Sequence, residues 1–242
     1  MTDRQKKKRN KWLGNKGKNM KTFSIAIDGP SGAGKSTVAK ALAKKLGFIH
    51  VDTGAMYRSV GLYVYRKGLQ PDDRDNVIAC LPGITIDTKY VDGAQRIYLN
   101  GEDVSEAIRQ NEISSYASKV SAIPEVRTFL LDLQRKTAEK YDVIMDGRDI
   151  GTVILPNASL KIFQTASVEA RAKRRYDELI AKGAEVTLED ITEQMIKRDY
   201  DDSHRANAPC VPAADAVLID NSNMTIEENV EAIAELVRQR GK

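Results

Sequence analysis

The sequence predicts an α/β fold, a doubly wound parallel sheet with helices on both faces. Three observations carry this. Five short apolar runs stand at residues 23–28 (FSIAID), 48–52 (FIHVD), 142–146 (DVIMD), 160–164 (LKIFQ) and 216–220 (AVLID), and continuous apolar runs of this length are how strands buried on both faces read. Helix-patterned segments separate the runs, and such alternation favours parallel strands joined by right-handed crossovers. Finally, 242 residues with 41% hydrophobic and 30% charged side chains suffice for one large domain, or one core with a substantial insertion. That composition excludes collagen-like, disulfide-scaffold and wholly disordered chains.

The chain opens on a basic stretch. Residues 1–21 hold nine Lys/Arg against Asp3 alone, a charge of +8, which leaves −4 on the other 221 residues of a chain whose total is +4. With Trp12 as its one aromatic and no apolar period, residues 1–20 read as a disordered tail. The basic excess therefore belongs to a tail and not to a binding face, and no stable nucleic-acid partner is expected. The stretch lacks the apolar core of a secretory signal, and no run reaches the roughly 18 apolar residues of a membrane span. Cys80 and Cys210 lie far apart and read as free thiols of a reducing compartment, so a cytoplasmic location is expected; the chain is expected to be a monomer. Two histidines, His50 and His204, cannot build a zinc site by themselves, which disfavours a hydrolytic metalloenzyme.

Residues 21–242 read as a single domain in three parts. The core comprises residues 21–60, 141–167 and 206–242. The first helix falls at residues 35–46, with Val38, Leu42 and Leu46 at helical spacing. The interval between the second and third strands is too long for one crossover. It begins helical at 55–66, passes a Pro/Asp stretch at 70–75, and holds β-like pieces at 84–87 and 96–99 with Asn100-Gly101 as a hairpin signal. Helical segments at 112–122 and 124–141 close it. Residues 61–140 are accordingly expected to form an inserted substrate-binding module. Residues 168–205 form a charged helical pair in which Arg171, Arg174, Arg175, Arg198 and Arg205 crowd, as in a lid that closes over transferring phosphates.

Chemistry is concentrated at the strand ends. Gly29-Pro30-Ser31-Gly32-Ala33-Gly34-Lys35-Ser36, followed by Thr37, matches G-x-x-x-x-G-K-[ST] without a mismatch, directly after a strand and before a helix. Glycines let successive N–H groups surround phosphate oxygens, and the helix N-terminus adds its dipole. Lys35 is placed for the β- and γ-phosphates of a nucleoside triphosphate and Ser36 for Mg²⁺. No N-K-x-D base-reading motif of a GTPase is present. A kinase needs a second anion site, and Thr53 with Arg58, one helical turn on, could hold an acceptor phosphate. Asp146 ends the third strand and could hold Mg²⁺ through water, Arg148 could meet phosphate, and Asp149 could accept from a donor on the acceptor.

The ordered set AIDGPSGAGKST, VDTGAMYR, LNGEDVSEAIR, MDGRDIGTV, RDYDDSHR and VPAADAVLID resembles the bacterial cytidylate (CMP/dCMP) kinases, within the nucleoside monophosphate kinase group, over residues 21–242. The resemblance implies a P-loop NTPase-type five-stranded parallel sheet with a monophosphate-binding insertion and a lid. It implies transfer of the γ-phosphoryl group of ATP to CMP or dCMP with Mg²⁺, in pyrimidine metabolism. Residue by residue it assigns Thr53, Arg58 and Arg148 to the CMP phosphate. Ser118, Arg127 and Asp149 go to cytosine, and Asp202 with Arg205 to the sugar and closed lid. Lys35, Arg174 and Arg205 are then the groups expected to neutralise the transferring phosphoryl. Two alternatives stand beside this reading: a P-loop kinase for another nucleotide or a hydroxyl acceptor, and a nucleotide switch contacting nucleic acid through the tail.

Overall fold

A computed structural model describes residues 22–91, 94–181 and 183–242; the expected basic tail, residues 1–20, lies outside them. From the N-terminal side, strand β1 (Ser24–Asp28) runs into the glycine-rich loop and helix α1 (Lys35–Leu46), then strand β2 (Ile49–Asp52) and helix α2 (Thr53–Arg66). A short helix α3 (Arg74–Cys80) and a three-stranded antiparallel sheet follow, formed by β3 (Ile86–Val91), β4 (Ala94–Leu99) and β5 (Glu102–Asp103). Helices α4 (Asn111–Val120) and α5 (Pro124–Lys140) return the chain to β6 (Val143–Asp146). After a π-helical turn (Ile150–Ile154) come β7 (Leu160–Thr165), helices α6 (Val168–Ala181) and α7 (Leu188–His204), β8 (Val217–Asp220) and α8 (Ile226–Gln239).

The main sheet has the order β2-β6-β1-β7-β8 with every neighbouring pair parallel. Its two faces follow the period of two along the strands. On β1, Ile25 and Ile27 pack with Val38 and Leu42 of α1 and Ile233 and Val237 of α8. Ala26 between them faces the opposite core, with Val143 and Met145 of β6 and Val60 of α2. Burying each such aliphatic side chain contributes about 1.5–3 kcal/mol against the unfolded chain. A third, small cluster of Ala172, Leu179, Ile191 and Met195 holds α6 to α7.

The interval between β2 and β6 differs from expectation in detail. Helix α3 starts inside the Pro/Asp stretch, because Asp73 caps it by accepting from Asn76 N at 3.3 Å. Asn100-Gly101 does turn the chain, between β4 and β5, where the two residues have φ of 50° and 87°; both central residues of such a turn need the left-handed region. Among the described residues, Cys80 and Cys210 are free thiols and no helix is long and apolar enough to cross a membrane.

Candidate active site

Three strand ends meet at one cleft. β2, β6 and β1 lie side by side and finish at Asp52, Asp146 and Asp28, each buried. The cleft over them encloses about 660 Å³, at the edge where open parallel sheets hold ligands.

The glycine-rich loop forms one wall. Gly29 has φ 142°, and a Cβ there would stand 1.9 Å from the Gln164 carbonyl oxygen, so a larger residue would have to push the two strands apart. Gly34, at φ 77°, opens α1 without a side-chain cap, which leaves first-turn N–H groups to a ligand. The Ala33 carbonyl is turned away and accepts from Gln164 Nε2 at 2.5 Å and Asn221 Nδ2 at 2.9 Å. Lys35 Nζ donates to the Pro30 carbonyl at 2.6 Å. Burial pushes the Lys35 ammonium from 10.5 down to about 7; Arg148 pushes the same way, while Asp146 opposes. Ser31, Gly32, Ser36 and Thr37 line the cleft, whereas Gly29, Pro30 and Ala33 shape the loop behind it.

Ser36 Oγ donates to Asp146 Oδ2 at 2.5 Å, and His50 Nε2 lies 2.7 Å from the other oxygen, Oδ1. A hydroxyl and a carboxylate form an all-oxygen pair, the donor type that Mg²⁺ takes beside phosphate and water oxygens. Thr53 Oγ1 donates to the Asp146 carbonyl at 2.8 Å, fixing the start of α2 against the end of β6.

Asp52 organises another wall of the cleft. Its Oδ1 caps α2 by accepting from Ala55 N at 2.9 Å, and its Oδ2 accepts from Arg58 Nη2 at 2.9 Å and Arg109 Nη2 at 3.0 Å. Burial alone would raise the carboxyl, but Arg58 and Arg109, together with His50 and the Ala55 hydrogen bond, outweigh it and hold Asp52 below its ordinary value. Arg148 Nε donates to Asp202 Oδ2 at 2.8 Å. Desolvation disfavours both charges, yet each holds the other ionised: Asp202 is lowered and Arg148 raised.

Deeper in, Arg127 of α5 donates to the carbonyl of Ser121 at 3.1 Å and, through Nη2, to Asp149 Oδ2. Its guanidinium carbon lies 5.4 Å from the Tyr57 ring centre. Arg205 Nη2 stands 3.6 Å from Asp149 Oδ1 and has no hydrogen-bond partner, while its Nε donates to the Ala208 carbonyl at 2.7 Å. Ser118 lies on the same wall. The structure thus gathers Thr53, Arg58, Ser118, Arg127, Asp146, Arg148, Asp149, Asp202 and Arg205 about one cavity.

The arginine-rich helices reach the same cleft by different routes. Arg171 is buried and donates through Nη1 to the Ser31 carbonyl at 2.9 Å and to Asp199 Oδ2 at 2.6 Å. Asp199 in turn accepts from Ser31 N at 3.2 Å, so α6 and α7 are fastened to the glycine-rich loop. Arg174 is exposed on the cleft wall and donates to the Asn221 carbonyl at 2.8 Å and the Ser222 carbonyl at 3.2 Å. Arg175 bridges to Asn111 Oδ1 at 2.8 Å. Arg198 lines the cavity with Nε unpaired, and burial takes its guanidinium down to about 10.

Several site residues escaped sequence reasoning. Asp28 accepts from two backbone N–H groups of the turn after Asp149, and its signal, an acid between an apolar strand and Gly29, was present. Burial raises Asp28 from 3.8 to about 6, against those two hydrogen bonds. His50 and Arg109 gave no local signal, since their partners Asp146 and Asp52 are 96 and 57 residues away.

The cytidylate kinase family model matches residues 25–239. A cytidylate kinase from Caldicellulosiruptor bescii is 52% identical over 217 residues, covering 90% of this chain and 96% of its own. One from Caldanaerobacter subterraneus subsp. tengcongensis is 51% identical over 221 residues, covering 91% and 97%. One from Lactobacillus gasseri is 47% identical over 220 residues, covering 91% and 96%. Likeness to solved structures is looser: a shikimate kinase from Bacteroides thetaiotaomicron reaches a TM-score of 0.46 at 14% identity, over 89% of this chain and 98% of that one. The chain belongs to the cytidylate kinase family.

Proposed function

We propose that this chain transfers the γ-phosphoryl group of ATP to CMP or dCMP, giving ADP and CDP or dCDP. The observation that carries the reading is that the glycine-rich loop and a second set of arginines line one cleft. Lys35 and the Ser36–Asp146 pair stand at the glycine-rich loop, and Arg58, Arg148 and the Arg127–Asp149 pair complete the same cavity.

The acceptor nucleophile is a phosphate oxygen already largely ionised at neutral pH, so the chain needs no base. Catalysis is positioning together with neutralisation of charge. Thr53, Arg58 and Arg148 orient the acceptor phosphate. Arg58 enters the reaction held by Asp52, so only part of its guanidinium is left for phosphate. Asp149 Oδ2 is taken by Arg127, which leaves Oδ1 for the cytosine amino group; a carboxylate accepts and cannot donate, so it favours that amino group over the carbonyl of uracil. Ser118 and Arg127 meet the remaining ring acceptors, and Asp202 with Arg205 the sugar.

Lys35 meets the β- and γ-phosphates. Their negative charge draws its proton affinity back up from the burial-lowered value, so triphosphate binding keeps the ammonium charged. Ser36 and Asp146, the latter through water, would hold Mg²⁺, which supplies positive charge to the phosphate oxygens. Arg174 and Arg205 act when the lid over residues 168–205 closes, and residues 61–140 contribute Ser118 and Arg127 to the acceptor's base. The test is coupled ADP release against CMP, dCMP, UMP, AMP, GMP and shikimate. The highest kcat/KM should fall on CMP or dCMP, and a preference for any of the other four would overturn the reading.

A further inference from the structure

Asp28 is the last residue of β1; it stands at the strand end under the cleft without lining it, is 4% exposed, and has both oxygens engaged. Oδ1 accepts from Ile150 N at 2.7 Å and Oδ2 from Gly151 N at 2.7 Å. These are the two residues directly after Asp149, and they begin the π-helical turn. The approach depends on Gly151: a Cβ there would meet Lys161 Cδ at 3.1 Å and Asp28 Oδ2 at 3.3 Å. A second tie lies just upstream, where Gly147 N donates to the Ile27 carbonyl at 3.0 Å. The segment 147–151 is therefore gripped at both ends by the tip of β1, and Arg148 and Asp149 are the residues between the grips.

A charged carboxylate is costly to bury, and its burial is offset here by hydrogen bonds to backbone N–H groups and not by a salt bridge. One carboxylate bound to two successive N–H groups fixes both position and rotation of that backbone, as a single hydrogen bond cannot. We infer that Asp28 is a positioning residue for base recognition: its two-point grip on Ile150 and Gly151 sets where the Asp149 carboxylate points, and so the discrimination of cytosine from uracil. The inference rests on the proposed reading of Asp149 as the cytosine acceptor. The same β1 tip also starts the glycine-rich loop at Gly29, so one strand end sets the spacing between the triphosphate loop and the base-reading carboxylate.

Asp28→Asn keeps the size and replaces one acceptor oxygen by a donor, which then opposes a backbone N–H. Gly151→Ala disturbs the grip from the other side and leaves Asp28 itself intact, which keeps the test open if Asp28→Asn folds poorly. The measurement is kcat/KM for CMP and for UMP, with KM for ATP, in the parent, both variants and Asp149→Asn. Both grip variants should lower kcat/KM for CMP about tenfold, the order expected when a buried donor loses its partner. The CMP-to-UMP ratio should shrink with it, and KM for ATP should stay within about twofold of the parent, since the loop's own contacts to Gln164 and Asn221 remain. An unchanged CMP-to-UMP ratio in the folded grip variants, alongside a narrowed ratio in Asp149→Asn, would overturn the role of Asp28 alone. An unchanged ratio in Asp149→Asn would instead overturn the reading of Asp149 on which it rests. Equal loss for CMP, UMP and ATP would show Asp28 to be a structural anchor without a share in selectivity.

Discussion

Ser36 Oγ and Asp146 Oδ2 lie 2.5 Å apart although 110 residues separate them in the chain. That contact joins the first turn of α1 to the end of β6 and brings the glycine-rich loop to the strand that leads into Arg148 and Asp149. Asp146→Asn should preserve the sheet, because the residue sits at a strand end, and should raise the Mg²⁺ concentration needed for half-maximal rate. Titration of the rate with Mg²⁺ at saturating ATP checks this, and an unshifted midpoint would remove Asp146 from the metal site.

Lys35→Ala should abolish transfer in a chain that still folds. Its ammonium donates to the Pro30 carbonyl at 2.6 Å, but a fixed partner for developing charge is worth about 3–4 kcal/mol of barrier by the usual scale for a single donor. Near-parental turnover with an intact melting profile would contradict the assignment.

The same lysine makes a pH prediction. Its ammonium titrates near pH 7 in the folded chain and near 10.5 in the unfolded one. Between those values the unfolded chain binds the extra proton, so this group makes the ligand-free protein more stable as pH rises from 7 toward 10.5, by on the order of 1 kcal/mol per pH unit. Melting of the parent and Lys35→Met should be compared at pH 7 and pH 9. The parent should gain relative to the variant on going to pH 9, and a constant difference would contradict the burial of a cationic lysine.

Gly29→Ala should fail outright, since its Cβ would stand 1.9 Å from a backbone oxygen of β7. Loss of triphosphate binding with a lowered melting temperature is expected. A variant that binds ATP like the parent would mean that the loop turns by another path.

Arg174→Ala and Arg205→Ala should lower kcat more than they weaken ATP binding, because groups delivered by a lid act mainly on the transition state. The Arg205 variant should be the more severe, as its guanidinium also stands beside Asp149 and Asp202. Steady-state kinetics with ATP affinity measured separately distinguishes the two effects.

What the sequence disclosed depended on distance along the chain. Gly29 to Thr37 is one contiguous loop, so its glycines, lysine and serine were legible together, and the apolar strands were legible because β1, β6 and β7 are buried on both faces, whereas the edge strand β8 leaves Leu218 66% exposed. The turn at Asn100-Gly101 was legible because few residue pairs take two left-handed conformations in succession. Arg109 on Asp52, His50 on Asp146 and Asp28 on Ile150 were not. His50 meets Asp146 across neighbouring parallel strands, Asp28 meets the turn after β6, and Arg109 reaches from the insertion to the core, and no local pattern encodes partners so far apart in the chain. The arginines of residues 168–205 were visible as a crowd, but their separate duties were hidden: Arg171 is spent on Ser31 and Asp199, while Arg198 keeps an unpaired Nε at the cavity.

The central claim is that this cleft passes a phosphoryl group from ATP to a cytidine monophosphate. The direct measurement is ³¹P resonance of the purified chain with ATP, Mg²⁺ and CMP, followed through the conversion. CDP and ADP should appear together in equal amounts, and neither should form with Lys35→Ala. ADP accumulating without CDP would make the chain a hydrolase and contradict the account.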